Sequence, residues 1–179
     1  SKLVRNISNL ARDNNLKLII DETYTNFGNK QSNILYKGKW DEHIIQLYSF
    51  SKVYRLTGHR VGLMVASKSF IKQVEKFLDT TTICPNRLAQ KAAYFGLLNL
   101  QEFMAKEKLK IEKLKDTFEK ELRNIENWSL LGIGGYFAYL GYNSKMDSIS
   151  IAKKLLTEQN ILSIPGDMFF PKSKNLFIK

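Results

Sequence analysis

The feature that most constrains this chain lies at residues 16–20, where Leu16, Leu18, Ile19 and Ile20 form a nearly continuous apolar run that stops at Asp21-Glu22. An apolar run without strict alternation predicts a strand covered on both faces, as parallel strands are. The stretch before it, Leu3, Val4, Ile7, Leu10 and Ala11, has helical spacing and reads as a helix already under way, so the chain is expected to begin inside a larger protein. A helix feeding a doubly covered strand predicts an α/β layer, in which ligands collect beyond the carboxyl ends of the strands. Asp21 and Glu22 fall at that edge.

Ile44, Ile45, Leu47, Tyr48 and Phe50 predict a second strand leading into Ser49-Phe50-Ser51-Lys52, after a loop containing Asn26, Gly28, Asn29 and Asn33. Val61, Leu63, Met64, Val65 and Ala66 predict a third. Phe70, Ile71, Val74, Phe77 and Leu78 have helical spacing, Thr80 to Pro85 interrupts it, and Asn86 is placed to cap a helix containing Leu88, Ala89, Ala92, Ala93 and Phe95. The stripe Ile111, Leu114, Phe118, Leu122 and Ile125 makes 101–126 one long, otherwise charged helix of the kind that bridges two domains. Gly132, Gly134, Gly135, Tyr136, Phe137 and Tyr139 read as a glycine-rich strand start, 148–159 as a helix, and Ile161 to Ile164 as a strand closed by a Pro165-Gly166 turn.

With 179 residues, 44% of them hydrophobic, the chain can bury a sizeable core. A single cysteine, Cys84, excludes an intramolecular disulfide, and no stretch approaches the roughly 18 consecutive apolar residues of a membrane helix. A cytoplasmic protein without membrane partners is expected. The net charge of +11 raises the question of polyanions. The densest basic run, Lys106 to Arg123, however, alternates with Glu107, Glu112, Asp116, Glu119 and Glu121, the pattern of a solvated helix face, so no nucleic-acid partner is expected. His43 and His59 lack neighbours at metal-ligand spacing, so both read as structural and no metal site is expected. A Gly-x-Gly-x-x-Gly phosphate loop is absent.

The informative constellation is Asp21-Glu22-Thr23-Tyr24, then Ser49-Phe50-Ser51-Lys52, then Gly58-His59-Arg60-Val61-Gly62. Singly these are turn residues, a solvated lysine and a surface arginine; their joint order and spacing carry the argument. This pattern resembles the class I/II aminotransferases of the fold-type I pyridoxal-phosphate family, and the likeness continues through Cys84-Pro85-Asn86, Gly134-Gly135-Tyr136-Phe137 and Ile164-Pro165-Gly166. In that family an Asp and a Tyr three residues later end one strand, a Ser-x-Ser-Lys turn carries the cofactor lysine, and a Gly-x-Arg-x-Gly arginine binds phosphate.

The resemblance implies that Lys52 forms the Schiff base with pyridoxal phosphate and later moves a proton. Asp21 would pair with the ring nitrogen and keep it protonated, while Tyr24 would hydrogen-bond the phenolic oxygen. Ser49, Ser51 and Arg60 would hold the phosphate, Arg60 through its planar fork. If the backbone stays extended across Phe50, the two serine hydroxyls point to the same side. The family's substrate-carboxylate arginine lies near its C-terminal strand; Lys179 falls at or near that place and supplies a point charge without the fork.

The implied fold is α/β: part of a fold-type I large domain over residues 1–104, followed by an α+β small domain over 105–179 that begins with the long connecting helix. The implied activity is amino transfer between an amino acid and a 2-oxo acid, by a homodimer. A carbon–sulfur lyase or related elimination enzyme uses the same lysine and aspartate, and a catalytically incomplete remnant would retain the same motifs; both stay open as alternatives.

Overall fold

A computed structural model of the protein describes residues 2–28 and 42–169. Asn29, Asn33 and Lys179 lie outside the described residues. Helix α1 (Lys2–Asp13) is followed by Asn15 in the left-handed region (φ 51°), and the Leu16 amide donates back to the Ala11 carbonyl at 2.8 Å, which turns the chain into the first strand. Strand β1 (Leu18–Asp21) pairs in parallel with β2 (Ile44–Ser49), Leu18 beside Ile44 and Asp21 beside Leu47. On its other edge β2 pairs with antiparallel β3 (Gly62–Val65), Ser49 beside Gly62. The sheet is therefore mixed, with β2 in the centre.

Successive strand residues point to opposite faces, and Ile44 and Ile45 are both buried, so it is β2 that is covered on both sides. The same expectation fails for β1, where Leu18 and Ile20 are half-buried but Ile19 is 60% exposed. Among the described residues β1 is an edge strand with one uncovered face. Phe77, Ile83, Leu88, Tyr94, Phe95 and Leu98 are exposed as well. Exposed apolar side chains and an open strand edge both favour association. Residues 1–179 purified alone are accordingly expected to self-associate, giving a light-scattering mass well above the 20.7 kDa of one chain. A monodisperse monomer would show that this surface is tolerated.

The core consists of Phe27, Phe50, Val53, Tyr54 and Val61, from the segments flanking the strand ends, with Ala89 and Ala93 of the helix over Arg87–Asn99. Ser67 caps α2 (Lys68–Thr81), accepting from the Phe70 amide. Asn86 caps α3 (Arg87–Asn99) as its position suggests, accepting from the amides of Leu88 at 2.8 Å and Ala89 at 3.3 Å. On α3, Gly96 lets the backbone close on Tyr54: a Cβ there would lie 2.8 Å from the ring.

Helix α4 (Gln101–Leu122) stops short of the expected residue 126. Its end tightens into turn bonds from Asn124 to Glu121 and from Ile125 to Leu122, and Asn127 is left-handed (φ 66°), so Ile125 leaves the stripe and is exposed. The described residues divide into two compact units, one over 2–28, 42–114 and 134–136, the other over 115–133 and 137–169. In the second, strands β4 (Trp128–Gly134) and β5 (Phe137–Tyr142) form a two-stranded sheet, and α5 (Ser148–Gln159) is capped by Asp147. The glycine-rich segment is thus two strands meeting at a Gly135-Tyr136 turn rather than the start of one. No strand forms over 161–164: left-handed Asn160 ends α5, the Ile161 amide returns to the Leu155 carbonyl, and no neighbouring strand pairs with the segment among the described residues.

Candidate active site

The carboxyl ends of β1 and β2 lie side by side, and the chain turns sharply after each. Past β1, the Glu22 amide donates to the Leu47 carbonyl, extending the parallel pairing by one residue. Asp21 then closes a turn of its own: its Oδ1 accepts from the Thr23 amide at 2.9 Å and from the Thr23 hydroxyl at 2.6 Å. The Thr23 hydroxyl first, and its amide second, hold the Asp21 carboxyl below the usual carboxylate range against a weak opposing effect of burial. Asp21 is therefore ionised at neutral pH. Tyr24 follows, then a 3-10 turn over Thr25–Phe27 that sinks Phe27 into the core.

Past β2 the backbone does not stay extended. The Ser51 amide donates to Ser49 Oγ at 3.2 Å, bending the chain at Phe50, so the premise that would set both serine hydroxyls on one side does not hold. Ser51 is buried, whereas Ser49 is half-buried. Phe50, Val53 and Tyr54 are all in the core, so Lys52 is held in a turn pinned on both sides and stays only partly exposed. The Arg55 amide donates to the Lys52 carbonyl at 3.1 Å and closes the turn. Lys52 Nζ stands 6.0 Å from the centre of the Tyr24 ring, the outer limit of a cation–π contact.

Arg60 arrives from the third strand. The Phe50 amide donates to the Val61 carbonyl at 3.4 Å, so pairing continues one step past Ser49 and Gly62, with Arg60 immediately beyond. Arg60 is exposed and left-handed (φ 50°), and its Nη1 donates to the Thr57 carbonyl at 2.9 Å. Asp21, Tyr24, Ser49, Ser51 and Lys52 thus gather at two adjacent strand ends, with Arg60 following from the third strand. Lys179 lies outside the described residues. His43 contacts the Leu16 carbonyl through Nδ1 at 3.0 Å, a link between the segments that lead into β2 and β1.

Arg55 and Phe103, which carry no expectation from the sequence, join this region together with Gly135 and Tyr136 of the Gly134-Gly135-Tyr136-Phe137 motif. Arg55 Nε and Nη2 donate to Glu107 Oε2 on α4 at 3.0 and 2.6 Å, and the guanidinium lies 5.6 Å from the Phe103 ring centre. Arg55 is left-handed (φ 55°). Gly135 (φ 54°) lets the Gly135-Tyr136 turn close on Tyr24: a Cβ there would lie 2.7 Å from the ring, and no L side chain adopts that backbone easily. Tyr136 meets Tyr24 edge-on with ring centres 5.9 Å apart and packs on Phe27 at 4.8 Å. Burial, then the nearby Glu107 carboxylate, push its hydroxyl pKa up. Asn26 Nδ2 donates to the Tyr48 hydroxyl at 2.6 Å. No short-range pattern marks the Arg55–Glu107 or Asn26–Tyr48 pairing.

Among the described residues no group of three or more His, Cys, Asp or Glu side chains is placed to hold a metal, and no helix is long and apolar enough to cross a membrane. The model of the aminotransferase class I and II family matches residues 2–173. The chain is 26% identical to an aspartate aminotransferase of Sulfurisphaera tokodaii, over 93% of its own length and 43% of that protein. It is 28% identical to the aspartate aminotransferase of Thermotoga maritima, covering 89% of this chain and 42% of the relative. Among solved structures it is similar to an aromatic aminotransferase from Pyrococcus horikoshii, with TM-score 0.84, 22% identity, and 96% of this chain and 48% of that one covered. It is also similar to the L-threonine-O-3-phosphate decarboxylase of Porphyromonas gingivalis, with TM-score 0.72, 26% identity, and coverage of 93% and 49%. The chain spans less than half the length of these relatives. Its mixed α/β fold matches part of fold-type I aminotransferase structures, whose family depends on pyridoxal phosphate. By the motifs at its strand ends and the family match along nearly its whole length, the chain belongs to the class I and II aminotransferases.

Proposed function

We propose that the protein carrying this chain is a pyridoxal-phosphate-dependent aminotransferase that moves an amino group from an amino acid to a 2-oxo acid, with Lys52 as the residue that binds the cofactor. The observation that carries the reading is the gathering of an ionised carboxylate, a tyrosine and a partly exposed lysine at two neighbouring strand ends, with an arginine close behind.

The donor set fits the group. Asp21 spends Oδ1 on Thr23, and its negative charge matches a protonated pyridine nitrogen. Tyr24, under the lysine amine, carries a hydroxyl that suits a phenolate oxygen. Ser49 and Arg60 bring hydroxyl and guanidinium donors of the kind a phosphate dianion takes. When bound, the cofactor supplies an electron sink that makes the substrate α-proton removable. Lys52 would hold the cofactor through its amine and would move a proton at the substrate carbon. Tyr136 packs edge-on against Tyr24 and supports the ring beneath the amine. The homodimeric state of the whole protein and recognition of the substrate carboxylate by Lys179 belong to the same proposal and rest on the family resemblance.

A second reading keeps the cofactor and changes the outcome, since a structure similar to this chain belongs to a decarboxylase. Amino transfer from a panel of amino acids to 2-oxo acids by the complete protein, after borohydride trapping has located the cofactor, separates the two. Trapping on the peptide containing Lys52, together with transfer, supports the proposal. Loss of carbon dioxide, or elimination without transfer, favours the second reading, and trapping on another lysine overturns the site.

A further inference from the structure

Asp21 is the last residue of β1 and is exposed, so packing does not by itself fix its carboxyl. The terminal torsion of an aspartate is broad, and without a tether either oxygen could face a ligand. A neighbour two positions on supplies the tether. Thr23 sends two donors to one oxygen, its amide at 2.9 Å and its hydroxyl at 2.6 Å, both to Oδ1. Rotating the carboxyl breaks both bonds at once. Among the described residues Thr23 is the side chain that bonds this carboxyl, which leaves Oδ2 for a ligand.

Thr23 can hold that position because its own place is fixed. Before it, the Glu22 amide donates to the Leu47 carbonyl of β2 at 2.8 Å; across it, the Thr25 amide donates to the Glu22 carbonyl at 3.1 Å. Tyr24, next in line, is met by the Gly135-Tyr136 turn. Branching at Cβ also leaves a threonine hydroxyl few rotamers. Any residue but proline could supply the amide bond at position 23. The hydroxyl bond, the shorter of the two, depends on the residue being threonine or serine.

The hydroxyl acts on Asp21 in two opposed ways. It favours the ionised carboxyl, which makes Asp21 a weaker partner for a protonated nitrogen. It also fixes the aim of the carboxyl. Proton affinity enters a rate only fractionally, whereas a displacement of about 1 Å at a working group can cost on the order of a hundredfold. Aim is the larger effect.

We propose that Thr23 is a positioning residue: its hydroxyl fixes Asp21 Oδ1 and leaves Oδ2 as the oxygen that meets the ring nitrogen of the cofactor. The role toward the cofactor rests on the aminotransferase reading; the hold on Asp21 does not.

The test uses the complete protein, cofactor-free and loaded, with Thr23→Val, which removes the hydroxyl and keeps the branch, and Thr23→Ser, which keeps the hydroxyl. Thr23→Ala replaces the valine variant should that one fold poorly. In the cofactor-free form the Asp21 carboxyl carbon, labelled with carbon-13 and assigned by its loss in Asp21→Asn, is followed as the pH is lowered. Protonation is expected at higher pH in Thr23→Val than in the unaltered protein, and at unaltered pH in Thr23→Ser, because only the first loses a bond that favours the ion. In the loaded form, transfer from the best amino donor of the panel is expected to show kcat lower by about tenfold in Thr23→Val, with KM for the donor within about twofold, and recovery in Thr23→Ser. Since the hydroxyl acts through the carboxylate, adding Thr23→Val to Asp21→Asn should cost less than about twofold more. An unchanged carbon titration would show that the hydroxyl does not hold Asp21. A kcat that is unchanged or higher in Thr23→Val, or an equal loss on both backgrounds, overturns the positioning role. If the unaltered protein takes no pyridoxal phosphate on Lys52, it is the aminotransferase reading that fails, and the carbon titration alone then decides whether Thr23 holds Asp21.

Discussion

Lys52→Ala in the complete protein is expected to abolish covalent capture of pyridoxal phosphate. The visible absorbance of the lysine-bound cofactor should vanish, borohydride should trap nothing at this turn, and amino transfer should fall to background. The expectation rests on geometry as well as on the motif. Lys52 sits in a turn whose neighbours Phe50, Val53 and Tyr54 are buried, and its Nζ lies over the Tyr24 ring beside the carboxyl end of β1. The fold should survive, because the Lys52 side chain contributes nothing to the core cluster and alanine is compatible with the turn. A variant that still gave a borohydride-reducible adduct at wild-type yield would mean that another amine faces the aldehyde.

Asp21→Asn should separate charge from turn geometry. An asparagine side-chain oxygen can still accept from the Thr23 amide and hydroxyl, so the turn after β1 should keep its shape. What disappears is the negative charge, which in Asp21 is secure at neutral pH because both Thr23 bonds favour the ionised form. A pyridine nitrogen without that partner loses its proton more readily and draws electrons less strongly. Cofactor should remain bound, then, while turnover drops on the order of a hundredfold or more. Titration of the cofactor and steady-state rates on the same preparation check both halves. Near-normal turnover would reduce Asp21 to a turn residue.

The two variants probe residues legible in the sequence for different reasons. Asp21 and Lys52 are marked by spacing within a family pattern, and the structure brings them to adjacent strand ends because β1 and β2 pair in parallel with Asp21 beside Leu47. Asn86 is marked by chemistry alone, since a helix start needs an acceptor for its first amides wherever it occurs. The serines show the limit of such reasoning. Alternation along a strand is a sound rule only while the backbone stays extended, and Ser49 ends the strand by accepting from the Ser51 amide.

Residues 16–20 and 161–164 mark the boundary from another side. Both segments are short and apolar, and a strand needs a partner as well as a propensity. The first finds β2 and becomes a strand with one open face; the second finds no partner among the described residues and remains irregular. By itself the sequence determined what depends on neighbours within a turn or two: helix starts and stripes, apolar runs, and the ordered motifs that place this chain in its family. Tertiary structure alone decided which strand is covered on both faces, that Glu107 reaches Arg55 across 52 positions, and that Asn26 reaches Tyr48 across 22. Those outcomes follow from packing and hydrogen-bond satisfaction between distant segments, which leave no periodic trace in the chain because each partner's position is set by the fold and not by its neighbours in sequence.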